Sequence, residues 1–150
     1  MLKIGQRAPA FSLKDDRGNT VSLSDLKGQR VILYFYPKDD TPGCTKEACD
    51  FRDAYRQFRD RGTVVFGVSR DPITSHQKFR EKYRLPFPLL ADETGEVTNA
   101  YGVWVKKSMY GKSYFGIERS TFLIDEHGTL TDIIRKVKVD GHVEALLANA

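Results

Sequence analysis

Residues 37–49, PKDDTPGCTKEAC, follow directly on the apolar run Val31-Ile32-Leu33-Tyr34-Phe35-Tyr36. That run has the length and composition of a buried strand. A helical pattern follows over residues 45–61, and Thr41, Pro42, Gly43 and Cys44 read as its start. Thr41 suits the N-cap and Pro42 the first helical position, where its missing N–H costs nothing. Gly43 leaves the backbone open to close approach, and Cys44 falls on the third position, where a capping box places Glu.

A helix start presents unpaired N–H groups and the positive end of the helix dipole. A thiol there is expected to ionise more readily than free cysteine, whose pKa is about 8.5. Asp39 and Asp40 oppose that shift if they point inward, whereas Lys38 and Lys46 assist it. Taken alone, Cys44 reads equally well as a small buried hydrophobe without chemistry.

Cys49 changes the balance. At 100° per residue, Ala48, Phe51, Tyr55 and Phe58 form one apolar stripe that includes Cys44. Cys49 lies roughly 130° from the stripe's centre, among Lys46, Asp53 and Arg56. In an intact helix the two Cα atoms are about 8–9 Å apart, whereas a disulfide wants less than roughly 7 Å. The pair therefore either never bonds or bonds only as the helix unwinds.

These residues resemble the peroxiredoxins, whose pattern Pro-x-x-x-Thr-x-x-Cys is matched by Pro37, Thr41 and Cys44. A second cysteine five positions later is similar to the bacterioferritin comigratory protein, or peroxiredoxin Q, branch. The resemblance runs from Gly5-Gln6-Arg7-Ala8-Pro9-Ala10-Phe11 to the last helical segment. It implies that Cys44 is the peroxidatic cysteine, Cys49 the resolving cysteine and Arg119 the catalytic arginine, with Gly43, Cys44, Thr41 and Arg119 binding substrate and Pro37 shielding the sulfur. It further implies a Cys44–Cys49 redox disulfide, a hydrogen peroxide or alkyl hydroperoxide substrate and thioredoxin or a similar dithiol as reductant. Read without the resemblance, Arg119 is an ordinary exposed strand arginine and Pro37 a strand terminator.

The 150 residues suit one domain, 1–150, with 40% hydrophobic and 29% charged residues arguing against disorder. The net charge of +4 comes from 24 basic and 20 acidic residues, and these are interleaved, so a solvated surface is expected rather than a nucleic-acid patch. The amino-terminal MLKIGQRAPAF lacks a signal-peptide apolar run, and no run spans a membrane. A cytoplasmic protein follows as the expectation, with its two cysteines redox-active rather than a staple. With both thiols in one chain, a monomer suffices.

In chain order, strands are expected at 10–13 and 20–23, a helical turn at 24–28, a strand at 63–69, a helix from Asp71-Pro72 to 84 and a short strand at 86–91. A small helix at 96–101, an exposed loop at 104–114, a hairpin of 117–124 with 130–137 and a helix at 141–148 complete the chain. Strand, helix, strand with this crossover implies a parallel βαβ unit. The order fits an α/β protein, a mixed sheet flanked by helices; the resemblance implies the thioredoxin-like version with an N-terminal β-hairpin extension. His76, His127 and His142 lack metal-ligand spacing and read as surface residues, so neither metal nor cofactor is expected. Asp92-Glu93 reads as a helix-entry pair, and no phosphate-binding glycine loop is present. Two other functions fit a cysteine pair: a thioredoxin-type thiol–disulfide oxidoreductase, for which the spacing is too long, and a non-enzymatic redox sensor or holdase.

Overall fold

Strand β3 (Arg30–Phe35) lies at the heart of the computed structural model, which describes residues 1–149. Ala150, the last residue of the expected domain, lies outside the described residues. Along β3 the side chains alternate. Val31, Leu33 and Phe35 enter one apolar cluster, and Ile32, Tyr34 and Tyr36 enter another on the opposite face. Covered on both sides, the strand reads as a continuous apolar run. Helix α1 (Pro42–Asp60) follows and leads into β4 (Thr63–Ser69), parallel to β3 with Ile32 opposite Val65.

The remaining elements are β1 (Ser12–Asp15), β2 (Thr20–Ser22), α2 (Ile73–Tyr83), β5 (Leu89–Ala91), α3 (Glu96–Ala100), β6 (Trp104–Met109), β7 (Lys112–Ile117), β8 (Ser120–Ile124), β9 (Leu130–Ile134) and α4 (His142–Asn149). The main sheet runs β2-β1-β5-β4-β3-β8-β9, parallel through β3, β4 and β5 and antiparallel at both sides. Ala48, Phe51, Ala54 and Phe58 of α1, Phe79 of α2, and Val143 and Leu146 of α4 cover one face; Val97 of α3 contributes to the other. This is the mixed α/β thioredoxin-like fold. Each fully buried Phe contributes about 1.5–3 kcal/mol, and α1 carries two, Phe51 and Phe58.

The structure differs from the sequence expectation at several places. The expected N-terminal hairpin forms, β1 pairing with β2, and it extends the main sheet because β1 also pairs with β5. Its first strand begins two residues later than expected, where the Asp15 carboxylate accepts from the Arg17 and Asn19 N–H groups and closes the turn. The expected loop at 104–114 is the β6–β7 ribbon, closed by Tyr110 and Gly111, both at positive φ, 51° and 76°. That geometry suits a two-residue hairpin, but Tyr at its first position hides the signal. The expected strand at 117–124 is broken at Glu118 and Arg119, where the Val103 carbonyl takes the Glu118 N–H and Arg119's own carbonyl takes the Val137 N–H.

Gly67 of β4 lies beneath the Tyr34 ring: a Cβ there would stand 2.8 Å from the Tyr34 hydroxyl and 2.9 Å from a Leu89 methyl. Overpacking of this kind costs about 1–3 kcal/mol. Gly67→Ala is therefore expected to lower unfolding free energy by that amount in denaturant titration; an unchanged midpoint would show that Tyr34 moves aside freely.

Candidate active site

Cys44 stands on the third position of α1, which begins at the carboxyl end of β3. The helix turns its apolar stripe inward, leaving Cys44 2% exposed within the same cluster as Ala48 and Phe51. Arg119 reaches it from the break between β7 and β8, which opens beside the end of β3 because Ser120 pairs with Phe35. Its Nη2 donates to Cys44 Sγ at 3.2 Å and its Nη1 to Glu47 Oε1 at 2.7 Å. A Cβ on Gly43 would lie 3.2 Å from Arg119 Nη2. Glycine is thus what lets the guanidinium lie against the helix start.

Glu47 is fully buried, and the sequence reading did not single it out. It follows Cys44 by three residues on the same helix face. A carboxylate inside an apolar stripe is the signal that marks it. Burial pushes its pKa up to about 7, with the Arg119 charge and hydrogen bond working against that rise. Burial alone would lower the pKa of Arg119; Glu47 and then Cys44 outweigh it and raise it. The guanidinium is fixed in charge and in aim.

Thr41 occupies the N-cap as expected, but its hydroxyl makes no cap bond and donates instead to the Lys38 carbonyl at 2.9 Å. The tight turn through Asp40, at φ 54°, brings that carbonyl within reach. Pro37 stands exposed just after β3. Neither loop aspartate aims at Cys44: Asp39 is buried against Tyr36, Ser75 and His76, and Asp40 binds Lys82 and Tyr83. Lys46 pairs with Asp50 at 2.9 Å and Asp140 at 3.5 Å. The nearby ammonium belongs instead to Lys107 of β6, half-buried, whose pKa is lowered by burial and then by Arg119, with Cys44 opposing.

Cys49 lies on the same unbroken helix, partly exposed, and both cysteines are free thiols. Burial pushes its pKa up, with Asp53 and Asp50 adding to the rise and Arg52 opposing it. Two histidine expectations are corrected. His76 is fully buried, bonded to Asp39 and the Leu90 carbonyl, and His142 is buried against the Thr121 hydroxyl; His127 alone is on the surface. Both buried rings find partners on elements distant in sequence, which spacing along the chain does not reveal. Asp92 does serve a helix entry, its carboxylate accepting from the Val97 and Thr98 N–H groups.

A buried cysteine at a helix start with an arginine donating to its sulfur defines a thiol-chemistry site on a thioredoxin-like scaffold. Residues 4–133 match the AhpC/TSA family, and the chain belongs to it. Within that family it is a peroxiredoxin of the bacterioferritin comigratory protein, or peroxiredoxin Q, subfamily. It is 58% identical to a putative peroxiredoxin bcp of Coxiella burnetii over 95% of this chain and 94% of that one. It is 54% identical to peroxiredoxin Bcp of Bacillus subtilis over 97% and 93%. The solved bacterioferritin comigratory protein of Xanthomonas campestris, described for its alkyl peroxide reduction activity, superposes with a TM-score of 0.91 at 40% identity, covering 98% of this chain and 96% of its own.

Glu47 gives the site a pH signature. Its pKa rises from 4.5 unfolded to about 7 folded, so the folded state binds the extra proton between those values. Stability from this group is full below pH 4.5 and declines as pH rises through about 7, by at most about 1.4 kcal/mol per pH unit. Glu47→Gln is expected to remove that decline in urea titrations across this window. An identical slope in the variant would place the proton elsewhere.

Proposed function

We propose that Cys44 is the peroxidatic cysteine and Cys49 its resolving partner, in a cycle that consumes hydroperoxides. The observation that carries this reading is the Arg119 guanidinium, donating to the Cys44 sulfur with one arm and held by Glu47 with the other. Cys44, as thiolate, attacks the terminal peroxide oxygen, and the O–O bond breaks. The departing alkoxide or hydroxide takes up a proton and leaves as alcohol or water, and Cys44 becomes a sulfenic acid. Negative charge grows on both oxygens, so donors aimed beforehand are effective. Arg119 and the Gly43 and Cys44 N–H groups are those donors. The Thr41 hydroxyl, its hydrogen given to Lys38, offers lone pairs to the hydrogen of the peroxide. Pro37, exposed on the same loop, forms the outer rim.

The Cys49 thiol then attacks the Cys44 sulfenic sulfur, forming a disulfide and releasing water. Because α1 holds the two Cα atoms about 8–9 Å apart, its first turns unwind for this step. A dithiol such as thioredoxin reduces the disulfide and becomes oxidised in turn. Hydrogen peroxide and alkyl hydroperoxides are the substrates; the activity described for the Xanthomonas relative supports the second class. The reading includes a single domain acting as a monomer, since one chain carries both thiols, in the cytoplasm, with neither nucleic acid nor membrane as partner. Among the described residues no helix is long and apolar enough to cross a membrane.

Cys49→Ser is expected to keep the first stoichiometric turnover with hydrogen peroxide and lose thioredoxin-linked cycling; unchanged cycling would remove Cys49 from the resolving role. Arg119→Lys replaces a forked donor by a point charge and is expected to slow Cys44 oxidation about a hundredfold. A stopped-flow rate equal to that of the parent protein would show that Arg119 binds Cys44 without assisting it.

A further inference from the structure

His76 touches no reacting atom, yet it is fully buried at the back of the loop that carries Pro37 and Thr41. Its Nε2 lies 2.9 Å from the Leu90 carbonyl of β5 and its Nδ1 2.7 Å from Asp39 Oδ2. The first neighbour can only accept, so Nε2 carries hydrogen. Asp39 already receives the Tyr36 phenol on Oδ1 at 2.5 Å and the Ser75 hydroxyl on Oδ2 at 2.8 Å. Nδ1 also lies 3.4 Å from the Tyr36 hydroxyl, so ring, carboxylate and phenol form one buried network.

The same loop is tied at two further points. The Asp39 N–H donates to Asp71 Oδ2 at 2.9 Å, an oxygen that also receives the Ser69 hydroxyl at 2.6 Å. Asp40 holds its left-handed backbone, φ 54°, while accepting from Lys82 Nζ and Tyr83 Oη of α2 at 2.8 and 2.7 Å. Asp39, Asp71 and His76 offer ligand atoms within 4.8 Å of one another. Hydrogen bonds already occupy these atoms, so the cluster reads as a buried polar network rather than a cation site.

We propose that His76, bonded to Asp39 and the Leu90 carbonyl at once, is a positioning residue for the peroxidatic centre. It fastens the loop before Cys44 to β5 and α2, so Thr41 and the start of α1 keep their aim at the peroxide while the turns after Cys44 unwind and rewind. A side chain that reaches only one of these two partners releases one of the two anchors. The proposal rests on Cys44 being the reacting sulfur.

Two measurements on the reduced full chain test it. Nitrogen-15 NMR of the His76 ring at pH 7 is expected to show hydrogen on Nε2, the nitrogen that faces the Leu90 carbonyl; a bare Nε2 overturns the proposal. In stopped-flow oxidation by hydrogen peroxide, His76→Asn is expected to lose at least about tenfold in rate per folded molecule, since small misplacements near reacting atoms are expensive. Leu130→Ala, a core truncation in the opposite apolar cluster, controls for lost stability and is expected to keep the parental rate. If His76→Asn does not fold, Ser75→Ala, which removes one donor to Asp39, is expected to lose about threefold. Parental rates in both loop-anchor variants, or an equal loss in Leu130→Ala, overturn the positioning role. Oxygen located by mass spectrometry on Cys49 instead of Cys44 in the parent overturns the underlying assignment, whereas the hydrogen on Nε2 tests the Leu90 anchor independently of it.

Discussion

One guanidinium, shared between a sulfur and a buried carboxylate, organises this molecule. Arg119 comes from a two-residue break between strands, Cys44 and Glu47 from successive turns of α1, and all meet at the carboxyl end of β3. An arginine charge so placed is sustained by Glu47; Glu47 in turn is buried deeply enough that only the arginine keeps its ionisation near neutral pH. Removing one partner of such a buried pair leaves the other uncompensated. The β7–β8 break and the glycine at position 43 let these three groups meet.

The same helix sets a second constraint. Cys44 faces the core because it continues the stripe of Ala48, Phe51 and Phe58, and Cys49 lies off that stripe, partly exposed. A rigid helix keeps the thiols apart, and only a melted first segment lets them meet. The loop on the other side of Cys44 is built oppositely. Asp39 and Asp40 are fastened to α2 by hydrogen bonds with Ser75, His76 and Tyr83, and Asp40 also by the Lys82 ammonium. The side of Cys44 toward β3 is thus tied down, and the helix on its other side carries the strain of any unwinding.

Much of this was legible in the chain. The β3 run, the Thr-Pro-Gly-Cys helix start and the two faces of α1 depend on neighbours within a few residues, which local pattern reveals. The choice of Arg119 among many arginines came through family resemblance, since nothing local distinguishes it. Glu47 was missed although it interrupts an apolar stripe, the kind of inconsistency that marks functional positions. His76 and His142 were misplaced to the surface because their partners, Asp39 and Thr121, are 37 and 21 residues away. The β6–β7 ribbon escaped because its turn places a tyrosine at positive φ, where glycine or asparagine is the usual sign.

The most direct test of the central claim is hydrogen–deuterium exchange along α1, in the reduced protein and after one equivalent of hydrogen peroxide. The account predicts that amides of residues 45–50, the first of them bonded to the Thr41 carbonyl, are protected while both thiols are free. They should exchange rapidly once the Cys44–Cys49 disulfide has formed. Retained protection across those residues, in a protein whose mass shows that disulfide, would contradict it.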